Sequence, residues 1–440
     1  MLHQPMARRT SAVGMQAARG GLFFGWHVVG AAGVVAVFAW GISFYGPPIF
    51  LEAVHVERGW PISVTSAATT LHFLLGAVFV ANLANLHRRF GLVAVTRTGG
   101  VLTGLGLLGW GLAREPWQLF AMMPFSAAGW AMTSGAALNA MVSPWFAVRR
   151  PAALSMAFNG ASLGGVVFSP LWVALIASFG FARATGLVAA TASVALWLIA
   201  GHYFARRPEE MGLAADGGEA ERSQSSNPWT TASVALVGGS GPWRDRRFLT
   251  LSVASMLALF AQVGLIAHLF SVLASSLGDT SAGLITALTT AAAISGRSLL
   301  GLLIRPATNR RVVAAGNLAV QACGSLLLMT AHHSPPLLLA GCMLFGLGIG
   351  NVTSLPPLIA QNEFTRDDVA RIVALVTATS QAGYAVAPLV FGGLRELGLA
   401  EGLGDAPVIF AAAALIQLAA ASTLVASRHI ARHTSARAEV

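Results

Sequence analysis

At 440 residues, 55% hydrophobic and only 10% charged, with a mean hydropathy of +0.69, the chain has the balance of a polytopic membrane protein and not of a soluble domain. Its formal net charge of +10 does not point to nucleic acid, because the arginines stand in short clusters between apolar runs, the pattern of loops facing anionic lipid. All 27 basic residues are arginine; without lysine there is no Walker A loop and no Schiff base, which excludes ATP-driven transport by this chain alone.

In chain order, residues 1–21 carry Arg8, Arg9 and Arg19 but no apolar core followed by a cleavage signal, and are expected to form a cytoplasmic tail. Crossing a hydrocarbon core of ~30 Å takes roughly 20 apolar residues. Twelve such segments are predicted, at about 22–50, 62–86, 92–113, 117–142, 152–179, 184–204, 248–275, 281–304, 312–330, 336–360, 369–394 and 406–427. The polar stretch 205–247 is the expected linker between two six-helix bundles, 22–204 and 248–427, with a tail at 428–440. Cys323 and Cys342 fall in apolar segments and form neither a disulfide framework nor a zinc site. No cofactor and no metal are expected.

The arginines set an orientation. With both termini in the cytoplasm, the inner loops collect Arg88, Arg89, Arg149, Arg150, Arg206, Arg207, Arg310 and Arg311, while the outer loops hold only Arg58, Arg114, Arg183 and Arg395. The halves also repeat at an offset of about 220 residues. Arg88-Arg89 pairs with Arg310-Arg311, Ser169-Pro170-Leu171 with Ala387-Pro388-Leu389, and Thr65, Thr69, His72 and Gly76 with Thr286, Thr290, Ala293 and Arg297. Parallel repeats of six helices place a substrate site between the halves, near the midplane.

The stretch from Gly20 through Trp26 to Val29, the run Trp145-Phe146-Ala147-Val148-Arg149-Arg150 leading to Gly160 and Gly164, and Arg207-Pro208-Glu209-Glu210-Met211-Gly212-Leu213 carry a resemblance. The chain resembles the major facilitator superfamily over residues ~22–427, and within it the bacterial relatives of the monocarboxylate porters and oxalate/formate exchangers. That resemblance implies alternating access and gate residues at Asn85, Arg88, Arg89, Arg149, Arg150, Arg305, Arg310 and Arg311. It also places Arg297 where such carboxylate transporters carry a substrate-associated arginine. Three positions depart from the pattern: Ala293 replaces an acid, Pro48 a lysine, and Asn85 and Arg305 the loop-motif aspartate.

Arg297 is the leading candidate because a guanidinium stays charged and costs at least ~2.5–3.5 kcal/mol at the bilayer centre. With no acid in its segment, it either meets an anionic substrate or snorkels to the headgroups. Thr286, Thr290 and Arg297 share a helix face. His72, beside Thr65 and Thr69, and His268 are candidates for proton coupling or for plain interhelical bonding. The stripe Thr377, Ser380, Gln381 and Tyr384 suits substrate oxygens or helix contacts. Tyr45, next to Gly46-Pro47-Pro48, marks a helix break. Asn139, Asn159, Gln262 and Asn351 are second-rank candidates. Gly104-Leu105-Gly106-Leu107-Leu108-Gly109 matches a dinucleotide fingerprint as text, but it follows no strand and is expected to serve close helix contact.

The sequence therefore predicts an all-α protein of the bacterial inner membrane, functional as a monomer and not an enzyme. It would move a small organic anion, a mono- or dicarboxylate, by proton symport or exchange. The alternatives are an exporter of amphipathic compounds, suited to Trp40, Phe44, Phe73 and Trp130, and a non-transporting sensor.

Overall fold

The computed structural model describes residues 23–217, 241–303, 308–331, 334–402 and 405–438. The tail at 1–21, the middle of the linker and Arg305 lie outside them. Among the described residues there are helices and no strand. The helices are α1 (Phe24–Ser43), α2 (Gly46–Arg58), α3 (Ile62–Leu112), α4 (Pro116–Thr133), α5 (Gly135–Val142), α6 (Arg150–Phe179), α7 (Phe181–Tyr203), α8 (Arg246–Leu277), α9 (Asp279–Leu303), α10 (Arg310–Thr330), α11 (Pro335–Glu363), α12 (Arg366–Ala385), α13 (Ala387–Ala400) and α14 (Asp405–Ala438).

Ten stretches are long and apolar enough to cross a membrane. One of them, α3, has 51 residues, about 77 Å of helix at 1.5 Å per residue, far more than one crossing needs. It breaks at Gly91, where φ 77° and ψ 162° form a conformation open to glycine alone, so it makes two spans. The pair α4 and α5, interrupted at Ser134, makes another, and the described residues thus form twelve crossings. The expected break in the first segment is present: α1 stops at Ser43 and α2 starts at Gly46, with Pro47 and Pro48 in the first turn, where a missing N–H costs little.

Glycine spacing fixes how closely the spans approach. A Cβ on Gly164 would lie 2.7 Å from the Val37 carbonyl oxygen, and one on Gly160 would run into the Gly33 carbonyl. The Gly-x-x-x-Gly pair therefore seats α6 directly on the α1 backbone. Gly104 and Gly106 do the same for α3 against Ala189 and Ser126, which is the helix-contact role expected of that run.

The helices form two sets. In the first, α6 packs on α1 and α3 on α4 and α7; in the second, α8 packs on α12 and α14, α10 on α11 and α14, and α9 on α11. Between the sets, α6 meets α9, α3 meets α13 and α2 meets α8. The apolar core shows where they join. One buried cluster contains Phe50 and Trp172 from the first set together with Phe270 and Phe391 from the second. Toward the arginine-rich end the sets keep separate clusters, one around Leu138 and Trp145 and another around Phe248 and Ile372. The sets are thus packed together at the end away from the arginines, called here the far end.

Hydrogen bonds cross between the sets at that far end. Glu396 Oε1 accepts from the Ser63 backbone N–H at 2.9 Å, and the Leu389 backbone N–H donates to Thr70 Oγ1 at 3.1 Å. Three arginines expected in outer loops lie in helices instead: Arg58 ends α2, Arg183 stands in the first turn of α7, and Arg395 is inside α13. Arg395, predicted to lie in an outer loop, sits inside α13, 3% exposed, and donates to Ser271 Oγ at 2.9 Å. The helix restarts after Val386 with Pro388 in its first turn and runs on to Ala400, past the apolar stretch that defined the segment.

Candidate functional site

At 1.5 Å per residue, Thr290 lies about 17 Å along α9 from Asp279, close to the middle of a ~30 Å core, and Arg297 about 27 Å, well inward of the middle toward the arginine-rich end. Arg297 is half-buried, and its Nε points to the Gly350 carbonyl of α11 at 3.4 Å. Gly350 is needed there, because a Cβ would stand 3.0 Å from the guanidinium Nε and Nη2. Among the described residues no carboxylate pairs with Arg297, and the ionisable group within its electrostatic reach is Tyr45. The side chain therefore turns toward α11.

Tyr45 sits in the break between α1 and α2, 7% exposed, with Thr290 beside it across Gly165. Both groups close on Gly165 of α6, where a Cβ would meet Thr290 Cγ2 at 2.6 Å and Tyr45 Cε2 at 2.8 Å. The junction of Tyr45, Gly165 and Thr290 thus draws on both sets of spans near mid-membrane, with Arg297 two turns further along α9. The threonine stripe contributes less polarity than its spacing suggests. Thr286 and Thr290 donate back to the Ala282 and Thr286 carbonyls at 2.8 and 3.0 Å, a local bond typical of helical Ser and Thr.

His72 is brought elsewhere. It is 3% exposed, faces α4, and shares a 2.9 Å hydrogen bond between Nδ1 and Ser126 Oγ. Its Nε2 and the Thr103 hydroxyl, both without a protein partner, border one small cavity of about 10 Å³ that Ser43, Pro47 and Phe50 also line. His268 is fully buried with Nε2 3.0 Å from the Pro388 carbonyl oxygen. Gln262 is buried in α8; Gln381 and Tyr384 are part-exposed, and Asn159 and Thr377 are exposed. Ser380 spends its hydroxyl on Val376 at 2.7 Å. Asn351 donates to Asn317 Oδ1 at 2.9 Å and to the Gly296 carbonyl at 3.4 Å, holding α9, α10 and α11 together.

Of the gate arginines, Arg88 is exposed and bonds Asn85; Arg89 and Arg149 are exposed, and Arg150 donates to the Phe146 carbonyl at 3.0 Å. Arg310 donates to the Leu358 carbonyl. Arg311, 4% exposed, pairs with both oxygens of Glu363 at 2.6 and 2.7 Å and also reaches Thr250 and the Arg247 carbonyl.

A family model described as Major Facilitator Superfamily matches residues 29–388. The chain belongs to the Major Facilitator Superfamily. As a member of that superfamily it is a multi-pass membrane transporter and not an enzyme. It is 28% identical to monocarboxylate transporter 13 of Bos taurus over 174 residues, 38% of this chain and 39% of that protein. It is 30% identical to monocarboxylate transporter 11 of Mus musculus over 169 residues, 38% of this chain and 37% of that one. The chain therefore matches about two fifths of these relatives' length. Among solved structures, the nucleoside transporter NupG superposes with a TM-score of 0.70 at 12% identity, covering 91% of this chain and 98% of that one. A bacterial homolog of the human lysosomal transporter Spinster, inward-facing and occupied, gives 0.68 at 16%, covering 93% and 98%. At such identities the likeness concerns the major facilitator fold alone.

Sequence reasoning missed three functional-looking groups. Glu396 and Arg395 fell beyond the eleventh predicted segment, and Asp216 in the linker accepts from the Ala147, Val148 and Arg149 backbone N–H groups at 3.0, 2.7 and 3.0 Å. Asp216 alone carried a local signal, its place after the Gly212-Leu213 turn. Nothing local marks the other two.

Proposed function

We propose that the protein is a secondary transporter of a small organic anion, a mono- or dicarboxylate, which binds Arg297 between the two sets of spans. The observation that carries this is a deep guanidinium, braced by the Gly350 carbonyl, that no carboxylate among the described residues neutralises. An unneutralised charge at that depth is costly, and an anion arriving from solution offsets the cost. The partial match to monocarboxylate transporters supports the same reading. The arginine-rich end is the cytoplasmic one, in a bacterial inner membrane, and the unit of transport is the monomer. Separate clusters at that end and a shared one at the far end fit a state open to the cytoplasm, from which the sets rock about the site.

Coupling, by proton symport or exchange, falls to His72 before His268. His72 keeps one nitrogen toward a polar cavity, while His268 is bonded across to Pro388. Uptake of radiolabelled carboxylates into proteoliposomes tests the proposal. Saturable uptake that Arg297→Gln abolishes is the expected result, and unchanged kinetics in that variant would refute the role of Arg297.

A further inference from the structure

The rings around Tyr45 come from both sets of spans. Phe44 lies 5.1 Å from Tyr45 and 6.1 Å from Phe73 in edge-on contacts, and stacks on Trp130 at 6.5 Å with planes 20° apart. Phe73 of α3 meets Tyr384 of α12 edge to face at 5.6 Å. Phe73 forms a small cluster with Val263 and Ala385, against which Phe44 and Tyr384 pack, and Phe44 also packs against the large shared core. At 1.5 Å per residue, Phe73, Trp130 and Tyr384 lie about 17, 21 and 24 Å from the far ends of α3, α4 and α13, so the rings run from the middle of a ~30 Å core inward toward the level of Arg297. Phe44 and Tyr384 are only part-buried, so the cluster presents ring surface instead of sealing it.

We infer that the transported anion is an aromatic monocarboxylate, its carboxylate on Arg297 and its ring against Phe44, Trp130, Phe73 and Tyr384. The inference rests on the anion reading of Arg297 and adds the chemistry of the rest of the substrate. Tyr45 links the two parts, meeting Thr290, two helical turns before Arg297, across Gly165 on one side and touching Phe44 on the other. A second carboxylate would lie among uncharged rings and find no cation in the cluster, which disfavours dicarboxylates. A short aliphatic acid would leave the rings unused. An aromatic acid gains edge and offset-stacked contacts, each worth about a two- to tenfold gain in affinity.

The test compares lactate with 3-phenyllactate, which differ by one ring, and benzoate with benzyl alcohol, which differ by the charge, on the purified full chain by calorimetry. Phenyllactate is expected to bind at least tenfold more tightly than lactate. Phe44→Leu, which keeps apolar bulk but removes a ring, should cut phenyllactate affinity about three- to tenfold and leave lactate unchanged. Tyr384→Leu supplies the same readout from the opposite set should the first variant misfold. Equal binding of lactate and phenyllactate, or tighter binding of succinate than of either, overturns the aromatic inference while leaving the anion reading intact. Benzyl alcohol binding as tightly as benzoate, with Arg297→Gln inert, overturns the anion reading itself; so does a failure of every acid to bind.

Discussion

Removing the Glu396 carboxylate should open the far end. Glu396 belongs to α13, yet it accepts from the backbone N–H of Ser63 at 2.9 Å, in the first turn of α3, whose own N-cap residue is Pro61 and supplies no side-chain bond. One set of spans thus caps a helix of the other, where the first N–H groups have no intrahelical partner and the dipole favours an anion. A charge-assisted hydrogen bond is worth about 1.5–3 kcal/mol, and the partial exposure of Glu396 brings the expected contribution to about 1–2 kcal/mol once screening is allowed for. That corresponds to a roughly 5–30-fold shift between closed and open far ends. Spin labels at Val56 and Leu399, exposed on α2 and α13, in a background lacking Cys323 and Cys342, read this as a distance distribution. Glu396→Ala should populate a longer distance, and Glu396→Gln, which keeps an acceptor but no charge, an intermediate fraction. A distribution identical to the parent in Glu396→Ala would refute the capping argument.

Gly165→Val should abolish substrate binding while the chain stays folded, because the added Cβ meets Thr290 and Tyr45 at 2.6 and 2.8 Å and wedges α6 from α9; calorimetry with a bound acid measures it. Arg311→Ala strands Glu363 at a nearly buried ion pair, and a loss of about 3 kcal/mol, the low end for breaking such a pair, should appear as a lowered Tm in detergent. His72→Gln should lose accumulation driven by a pH gradient yet keep substrate exchange, a pair of flux assays that separates coupling from transport. Asp216→Ala should speed hydrogen exchange at Ala147, Val148 and Arg149. Burial opposes the Asp216 charge, but three backbone N–H groups and Arg149 outweigh it and hold the carboxyl below its ordinary 3.8. A depressed carboxyl stabilises above its unfolded value, so the protection should be full above pH 3.8 and fade as pH falls below it.

The span count and the break at Tyr45 were legible because each depends on local sequence: apolar length and paired prolines. What each polar side chain faces was not. Thr290 and His72 occupy similar places in their segments, yet Thr290 points across to Tyr45 and Gly165, while His72 points within its own set at Ser126. A few tens of degrees of helix rotation decide between those outcomes, and only packing fixes them. The repeat register shows the same limit. Spacing paired His72 with Ala293, but the contact corresponding to His72 with Ser126 is Thr289 with Cys342, one turn away, since threonine and glycine recur at every turn of both segments. Arg395 was misplaced because hydropathy loses a helix once arginine and glutamate enter it, although Ser271 lies opposite to receive the charge.

The two ends of the molecule use their carboxylates differently, and this bears on how the transporter switches. At the arginine-rich end Glu363 is taken up by Arg311 inside the second set. In the first set Asp216, the one non-glycine residue with positive φ among those described, is turned into three successive N–H groups at the start of α6, a concavity suited to an anion. Both acids brace their own set and do not join the sets to each other. Arg88, Arg89 and Arg149 of the first set and Arg246 and Arg371 of the second remain exposed there, so bringing the sets together gathers like charges and costs energy. At the far end Glu396 and Thr70 cross from one set to the other. The resting balance is therefore set by attraction at one end and repulsion at the other. On the proposal that the cargo is an anion, one entering from the arginine-rich end relieves the repulsion on its way to Arg297, and the charge of the cargo becomes part of the switch. Raising ionic strength should mimic that relief: exposed arginines are screened over ~10 Å at 0.1 M salt, while Arg297, half-buried against α11, is screened far less.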